Sequence, residues 1–311
     1  MSPIKSFLFV VFISFTTIHY GQHTDQINSN RPGETMSAFS VGKSVIQVET
    51  GAYGIRQKHE LLNYESAGFG VNLTARWGLF FEKLELIADI QYQSEIVNPS
   101  LIYPNKSGLK QTVLGAKYLI YDPFKNYKEK INLYSYHANH SFKWHQLIPA
   151  VSLFAGVNLT FSDNPYAFSP EASLTPKIIL ITQNHFDNSR WVLVTNIIGD
   201  YISSDFPSYG YVVTLTRGFN KKWSGFVENQ GYKSDFYSDI IVRGGAAYLL
   251  SKSIQIDASL SISLKNTPSM VYGGFGFSWR YDANYKAVKI SNESEYSSNK
   301  VKRRTKKTKR G

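Results

Sequence analysis

From Ser253 to Asp282 the chain sets out two ribbons whose faces are almost completely separated. Ile254, Ile256, Ala258, Leu260, Ile262 and Leu264 alternate with Gln255, Asp257, Ser259, Ser261, Ser263 and Lys265. After an Asn266-Thr267-Pro268-Ser269 turn, Val271, Gly273, Phe275, Phe277, Trp279 and Tyr281 alternate with Tyr272, Gly274, Gly276, Ser278 and Arg280. A period of two residues puts one set on each face of a strand. The polar face is too long for a packed core, and the apolar face ends in aromatic residues. Strands read this way when hydrocarbon lies on one side and a watery lumen on the other.

The alternation recurs over about twelve segments: 45–53, 66–77, 84–95, 109–121, 146–161, 174–183, 191–201, 209–219, 223–232, 240–250, 254–265 and 270–281. Most are long enough to cross a bilayer at a barrel tilt, and an even number suits a single-chain bacterial barrel with both termini in the periplasm. The predicted fold is all-β: a closed, transmembrane, antiparallel up-and-down barrel over residues 44–282. Segments 174–183 and 223–232 alternate less cleanly. With a periplasmic N-terminus, the links 78–83, 219–222 and 250–253 are tight periplasmic turns, and 54–65, 96–108 and 162–173 are longer outward loops. Link 122–145 breaks that sorting, being long yet periplasmic. Trp77, Trp191, Trp223 and Trp279, with Tyr281, fall at the periplasmic strand ends, where an amphipathic ring prefers the headgroup level.

The front of the chain changes the picture from fold to place. Lys5 and the apolar run Phe7 to Phe15 have the form of a signal peptide over residues 1–22, too short to span a membrane as a helix. An exported chain follows, expected in the outer membrane of a Gram-negative bacterium, with residues 23–43 forming a periplasmic segment ahead of the barrel. There is no cysteine, so the fold closes by strand pairing alone. The net charge of +11 points away from nucleic acid once it is located. Lys286, Lys289, Lys300, Lys302, Arg303, Arg304, Lys306, Lys307, Lys309 and Arg310 stand against Glu293 and Glu295, which concentrates the excess in a tail over 283–311. Such a block reads as a solvated, disordered tail that touches anionic lipid or cell-wall polymer.

Catalytic and metal chemistry find little support. His137, His140 and His145 sit in a loop without cysteine or an acidic ligand in register, a pattern of surface histidines more than of a metal site. A lipid hydrolase built on a barrel needs a strand histidine beside a strand serine, and the segments above contain none. Gly273-Gly274-Phe275-Gly276 precedes no helix and is no phosphate loop. No cofactor is implied. The candidate site is the lumen, which alternation lines with Glu49, Arg76, Glu85, Asp89, Gln91, Lys117, Lys177, Asp200, Arg217, Glu228, Arg243, Asp257 and Arg280. Mixed charges there either pair across a narrow barrel or line a solute path. Twelve strands lie between a filled eight-stranded barrel and an open porin, so a narrow path is expected.

The opening of the mature chain resembles a known family. Asn30-Arg31-Pro32-Gly33-Glu34-Thr35, followed by Gly42, Gln47, Glu49 and Gly51 in the first strand, is similar to the start of a family of Gram-negative outer-membrane β-barrels. Its members are labelled transporters or proteins of the meta-pathway of phenol degradation, and the resemblance covers most of residues 27–281. It implies a passive, transporter-like barrel for small hydrophobic or aromatic solutes. It also places Arg31-Pro32 just before the first strand, inside or under the barrel, as a latch. The competing expectations are a non-transporting structural or assembly barrel and, further off, a lipid hydrolase.

Overall fold

Twelve strands run up and down in sequence order through the computed structural model: β1 (Val45–His59), β2 (Tyr64–Gly78), β3 (Leu84–Asn98), β4 (Lys106–Tyr121), β5 (Ala150–Leu159), β6 (Leu174–Phe186), β7 (Trp191–Asp200), β8 (Ser208–Gly218), β9 (Trp223–Lys233), β10 (Ser238–Ser251), β11 (Ile254–Ser263) and β12 (Ser269–Asp282). Each pairs antiparallel with its neighbour, and β1 closes the sheet on β12 from Val45↔Asp282 to Lys58↔Ser269. The result is the closed twelve-stranded barrel that the alternation predicts. The structure describes residues 27–282 except 100–101, 126–133, 136–143, 162–163, 167–172, 187–188 and 236; the signal peptide expected at 1–22 and the basic tail at 283–311 lie outside the described residues.

Burial is inverted relative to a water-soluble fold. The largest side chains under 2% exposed include Arg76, Lys117, Gln47, Gln93, Glu49, Glu85 and Glu228, all on the inner face. Meanwhile Phe275 (69%), Val227 (62%) and Leu260 (60%) stand exposed on the outer face. A continuous apolar exterior of this size has one stable solvent, the lipid hydrocarbon. No helix among the described residues is long and apolar enough to cross a membrane; the strands do the crossing.

Strands β1 to β4 run further than their apolar stretch. β1 continues through Arg56, Gln57 and Lys58, and Lys58 pairs with Glu65 at 3.3 Å on the water-exposed outside. The outward loops are therefore shorter than expected: 60–63 and 99–105 replace the anticipated 54–65 and 96–108. Backbone pairing continues past the bilayer because an antiparallel ladder needs only a partner, not an apolar face. The end where β1 starts and β12 finishes, the terminal end, carries the longest link, 122–149, which includes a 3-10 turn at Trp144–Leu147.

Residues 27–43 are the main departure. Expected as a periplasmic segment with Arg31-Pro32 inside or under the barrel, they enter the barrel along their whole length. Ile27 N–H bonds the carbonyl of Lys252 in the β10–β11 turn (2.8 Å), and the chain then crosses the lumen and returns to start β1. Inward polar side chains near the terminal end receive it, so the segment forms a loop plug in that half of the barrel. A channel interior full of unpaired carboxylates and amides supplies partners that bulk periplasm does not, which is why the segment folds inwards.

The plugged lumen as candidate functional site

The first anchor is built on Glu49. Its carboxylate accepts from Ser29 Oγ (2.9 Å), Asn30 N (3.1 Å) and Arg31 N (3.3 Å), so it caps the turn that opens the plug. Behind it, Gln47 Nε2 (2.7 Å) and Arg76 Nη1 (3.0 Å) donate to its other oxygen. Arg76 Nε reaches Glu85 Oε1 at 2.7 Å, and Lys117 Nζ lies 3.3 Å from the same oxygen. The four charges alternate in sign across β1 to β4, each at 0–1% side-chain exposure, which is the condition under which buried ions are tolerated. The network also holds the plug: Arg76 donates to Asn28 O (2.9 Å), Lys117 to Ser37 O (2.8 Å), and Val41 N to Glu85 (2.8 Å).

Arg31 reaches across the floor of the barrel. Its guanidinium donates to Asn72 Oδ1 (2.8 Å) and Asp257 Oδ1 (3.2 Å), and its carbonyl accepts from Gln255 (3.2 Å). It lies flat on paired Gly51 and Gly276, where an added Cβ would sit within 2.6 Å of the guanidinium. Glycine here is a seat for a side chain, the close approach that a glycine-rich strand permits.

The second anchor is Glu228 on the far wall. It accepts from Glu34 N (3.0 Å) and Thr214 Oγ1 (2.6 Å) and pairs with Arg243, which also donates to Ser261 (2.8 Å) and Tyr272 (2.9 Å). Arg243 approaches Glu34 itself at 3.6 Å, and Thr35 Oγ1 donates to Thr214 Oγ1 (2.9 Å). Next, Asn196 accepts from Met36 N (2.6 Å) and donates to Met36 O (2.9 Å), standing in for a strand neighbour. Gln183 accepts from Ala38 N, Ser152 donates to Ala38 O, and Ser29 bonds Ser278. Every one of the twelve strands thus gives the plug at least one inward side chain.

Part of the inner face is apolar, contrary to the all-polar lumen expected. Ile87, Val113, Phe154, Ile179, Ile181 and Val194 surround Ala38 of the plug, with Met36 and Phe39 against them. This explains the poor alternation of β6: Ile178 and Leu180 face lipid while Ile179 and Ile181 face the plug. A strand solvated by hydrocarbon on one side and by a packed loop on the other reads apolar on both.

Of the predicted lining residues, Glu49, Arg76, Glu85, Lys117, Glu228, Arg243 and Asp257 meet the plug or its supporting network. Asp89, Gln91 and Lys177 border a cavity of about 180 Å³ on its loop-end side. There Lys177 pairs with Asp200 (2.7 Å) and Asp89 accepts from Thr74 (2.7 Å). Arg280 points inward near Asp282 (3.7 Å). Arg217 is the exception. In β8 the inward set is Val212, Thr214 and Thr216, so Arg217 falls outside with Leu215, its guanidinium over Trp191 (4.9 Å) and Phe219 (5.7 Å). Parity decides its side, and an interfacial cation on aromatic rings is comfortable there.

Several inward groups are absent from the predicted lining. Glu95 accepts from Gln57 (2.7 Å) and Ser66 (2.8 Å), and the alternation of β3 already points to it. Lys110, which bonds Gln93 (3.1 Å), carries no such signal: a bulge opposite Gln91/Tyr92 turns it inward although Lys117 has the opposite parity. At the loop end Tyr237, between strands, donates to Asp239 (2.7 Å), and burial with that bond pushes its phenol above the usual range. On the terminal-end side of the plug lies a vestibule of about 600 Å³, bordered by Phe39, Phe124, His185, Val192, Phe226 and Gln255.

Histidine does enter the strands, which corrects one expectation. His59 ends β1, and β6 runs on to include His185, whose Nδ1 is 3.1 Å from Ser189 Oγ. The pair is not arranged for nucleophilic attack. Gln183 Oε1 accepts from Ala38 N, so its Nε2 donates to His185 Nε2 (2.8 Å). That leaves the proton on Nδ1, donating to the serine rather than taking from it. His137 and His140 lie outside the described residues; His145 bonds Pro123 O (3.1 Å).

A family model described as the putative MetA-pathway of phenol degradation matches residues 29–281. The chain belongs to this family. The family span begins at the plug and ends with β12, so the plug is as much part of it as the wall. Among solved structures, the crystal structure of an outer membrane channel from Pseudomonas putida F1 has a TM-score of 0.53 at 10% identity, with 82% of this chain and 100% of that one covered. The CymD monoaromatic hydrocarbon channel has a TM-score of 0.43 at 10% identity, with 78% and 90% covered. At such identities the first likeness is one of fold, that of an outer-membrane barrel. No curated protein matches the chain.

Proposed function

We propose that this protein is a passive outer-membrane channel for small solutes, kept closed at rest by residues 27–43. The observation that carries it is a polar lumen stoppered by a loop on hydrogen bonds and ion pairs, with cavities on both sides. A barrel that served only as a scaffold has no use for a mostly polar stopper, because an apolar interior of equal volume is at least as stable. The family description favours aromatic solutes, and the ring-lined vestibule of Phe39, Phe124 and Phe226 suits them. The protein acts without catalysis in this reading, and the His185–Ser189 pair is structural.

Planar-bilayer conductance and liposome swelling test the proposal. The full chain should conduct little, and deletion of residues 26–35 should open a stable pore in a barrel that still shows heat-modifiable migration. A folded, plug-deleted barrel that stays silent supports the scaffold reading. Hydrolysis of phospholipid by purified protein, lost in Ser189→Ala, would instead revive the hydrolase.

A further inference from the structure

Arg217 is a cation the lumen does not use, and its surroundings have the form of a lipid site. It sits near the terminal end of β8, its guanidinium against Trp191 and Phe219. Phe219 in turn folds over Gly225, where an added Cβ would lie 2.9 Å from the ring. Lys222 in the next turn stands 5.8 Å over Tyr248, which packs on Trp223 at 4.8 Å. Among the described residues neither Arg217 nor Lys222 has a carboxylate partner, although both are exposed. Two oriented, unneutralised cations on an aromatic ledge form an anion-binding arrangement.

The register supplies a second, independent feature. Arg217 pairs across the sheet with Gly225, Gly225 with Ala246, and Ala246 with Ala258. All four face outward, so a floor of small residues leads away from the cation. Because barrel strands tilt, a cross-strand row that begins at the terminal end of β8 rises towards the middle of the bilayer. The row below it is Trp223, Tyr248, Ile256 and Phe277. These four, with Ala246 and Ala258, border an apolar groove of about 610 Å³ on the outer wall.

We infer that this wall binds one anionic phospholipid, with its phosphate on Arg217 and Lys222 and an acyl chain along Gly225, Ala246 and Ala258. The inference rests on the reading of the chain as a membrane-spanning barrel. Charge selects the occupant: a second copy of the chain would need an acidic outer surface to meet these cations, and the outward strand positions near the terminal end offer none among the described residues. With the periplasmic N-terminus expected from the turn lengths, the terminal end faces the periplasmic leaflet, which is the phospholipid leaflet of an outer membrane.

Native mass spectrometry of the full chain, loaded with phosphatidylglycerol or with phosphatidylcholine of the same acyl chains, tests the site. Wild type should retain phosphatidylglycerol preferentially. In R217Q/K222Q the preference should fall roughly 10- to 30-fold, as expected for two cations near a charged headgroup. A246L/A258L, which fills the groove, should lower retention of both lipids. Equal retention of the two lipids by wild type overturns the inference, and so does an undiminished preference in R217Q/K222Q, which would assign anionic lipid to the basic tail that all variants keep. A protein dimer in place of a lipid adduct overturns it as well. If the groove variant fails to fold, R217Q/K222Q, altered only on the exposed surface, still decides. Flotation with phosphatidylcholine vesicles separates this from the parent reading: failure to float removes the membrane barrel itself, not merely its lipid site.

Discussion

The two anchors of the plug are equally buried at the wall, Glu49 at 1% and Glu228 at 0% side-chain exposure, and differ in what the plug itself brings to each. On the Glu49 side the charges of Arg76, Glu85 and Lys117 are sealed at 0–1% exposure and every carboxylate has two or more donors. On the Glu228 side the plug's own Glu34 is 42% exposed, and Arg243 keeps Ser261 and Tyr272 as partners when the plug leaves. Releasing the first anchor takes three plug donors from the sealed Glu49 carboxylate, leaving it Gln47 and Arg76; releasing the second frees the half-exposed Glu34 to water and leaves Arg243 its wall partners. If the stopper opens as proposed, Ser29–Arg31 is the expected hinge and Glu34–Met36 the expected latch.

The largest effect expected from breaking that asymmetry is with Glu49→Gln. It leaves the Asn30 and Arg31 amides with a weaker acceptor and removes one of the carboxylates that neutralise Arg76, at a cost of about 3–5 kcal/mol, the range for uncoupling a buried ion pair. Urea unfolding in detergent should report the loss, and conductance should rise with it. Glu228→Gln should open the pore with a smaller stability loss, about 1–3 kcal/mol, because Arg243 retains neighbours. If it destabilises the barrel as much as Glu49→Gln, the hinge-and-latch distinction fails.

Gly276→Ala tests the seat of Arg31. The added methyl collides with the guanidinium, so single-channel records should show more frequent openings with little change in the unfolding midpoint, unlike either carboxylate variant. Smallest of all should be Asp89→Asn, which borders the loop-end cavity and can keep an acceptor oxygen for Thr74. On the background of the plug deletion it should reduce preference for cations over anions, read as a shift in reversal potential under a salt gradient. In the full chain the same substitution should do almost nothing.

Much of the wall is legible in the amino-acid pattern. Period two alone locates twelve strands, and the sidedness of Ile254–Ser263 and Ser269–Asp282 follows directly from it. Where the pattern misleads, a local count meets a non-local cause. Arg217 is counted among the inward polar positions although its parity puts it with Leu215 on the outer face. Lys110 gives no inward signal because a bulge, visible only in the β3–β4 register, inverts the parity. β6 reads ambiguously because two different apolar surroundings solvate its two faces.

The linear chain already dictates the architecture, since alternation, strand length and turn placement are local properties that add up to a closed sheet in lipid. It also contains the plug's chemistry: Arg31, Gln47 and Glu49 stand together in its opening motif. Only the folded barrel turns residues 27–43 inwards and brings Glu49, Glu228 and Asp257 to meet them. The partners of those groups lie up to 226 residues away, as in Arg31 and Asp257. No periodicity in a linear chain encodes which polar groups will face one another across a lumen; closure of the barrel creates that neighbourhood, and burial then requires each charge within it to find its partner.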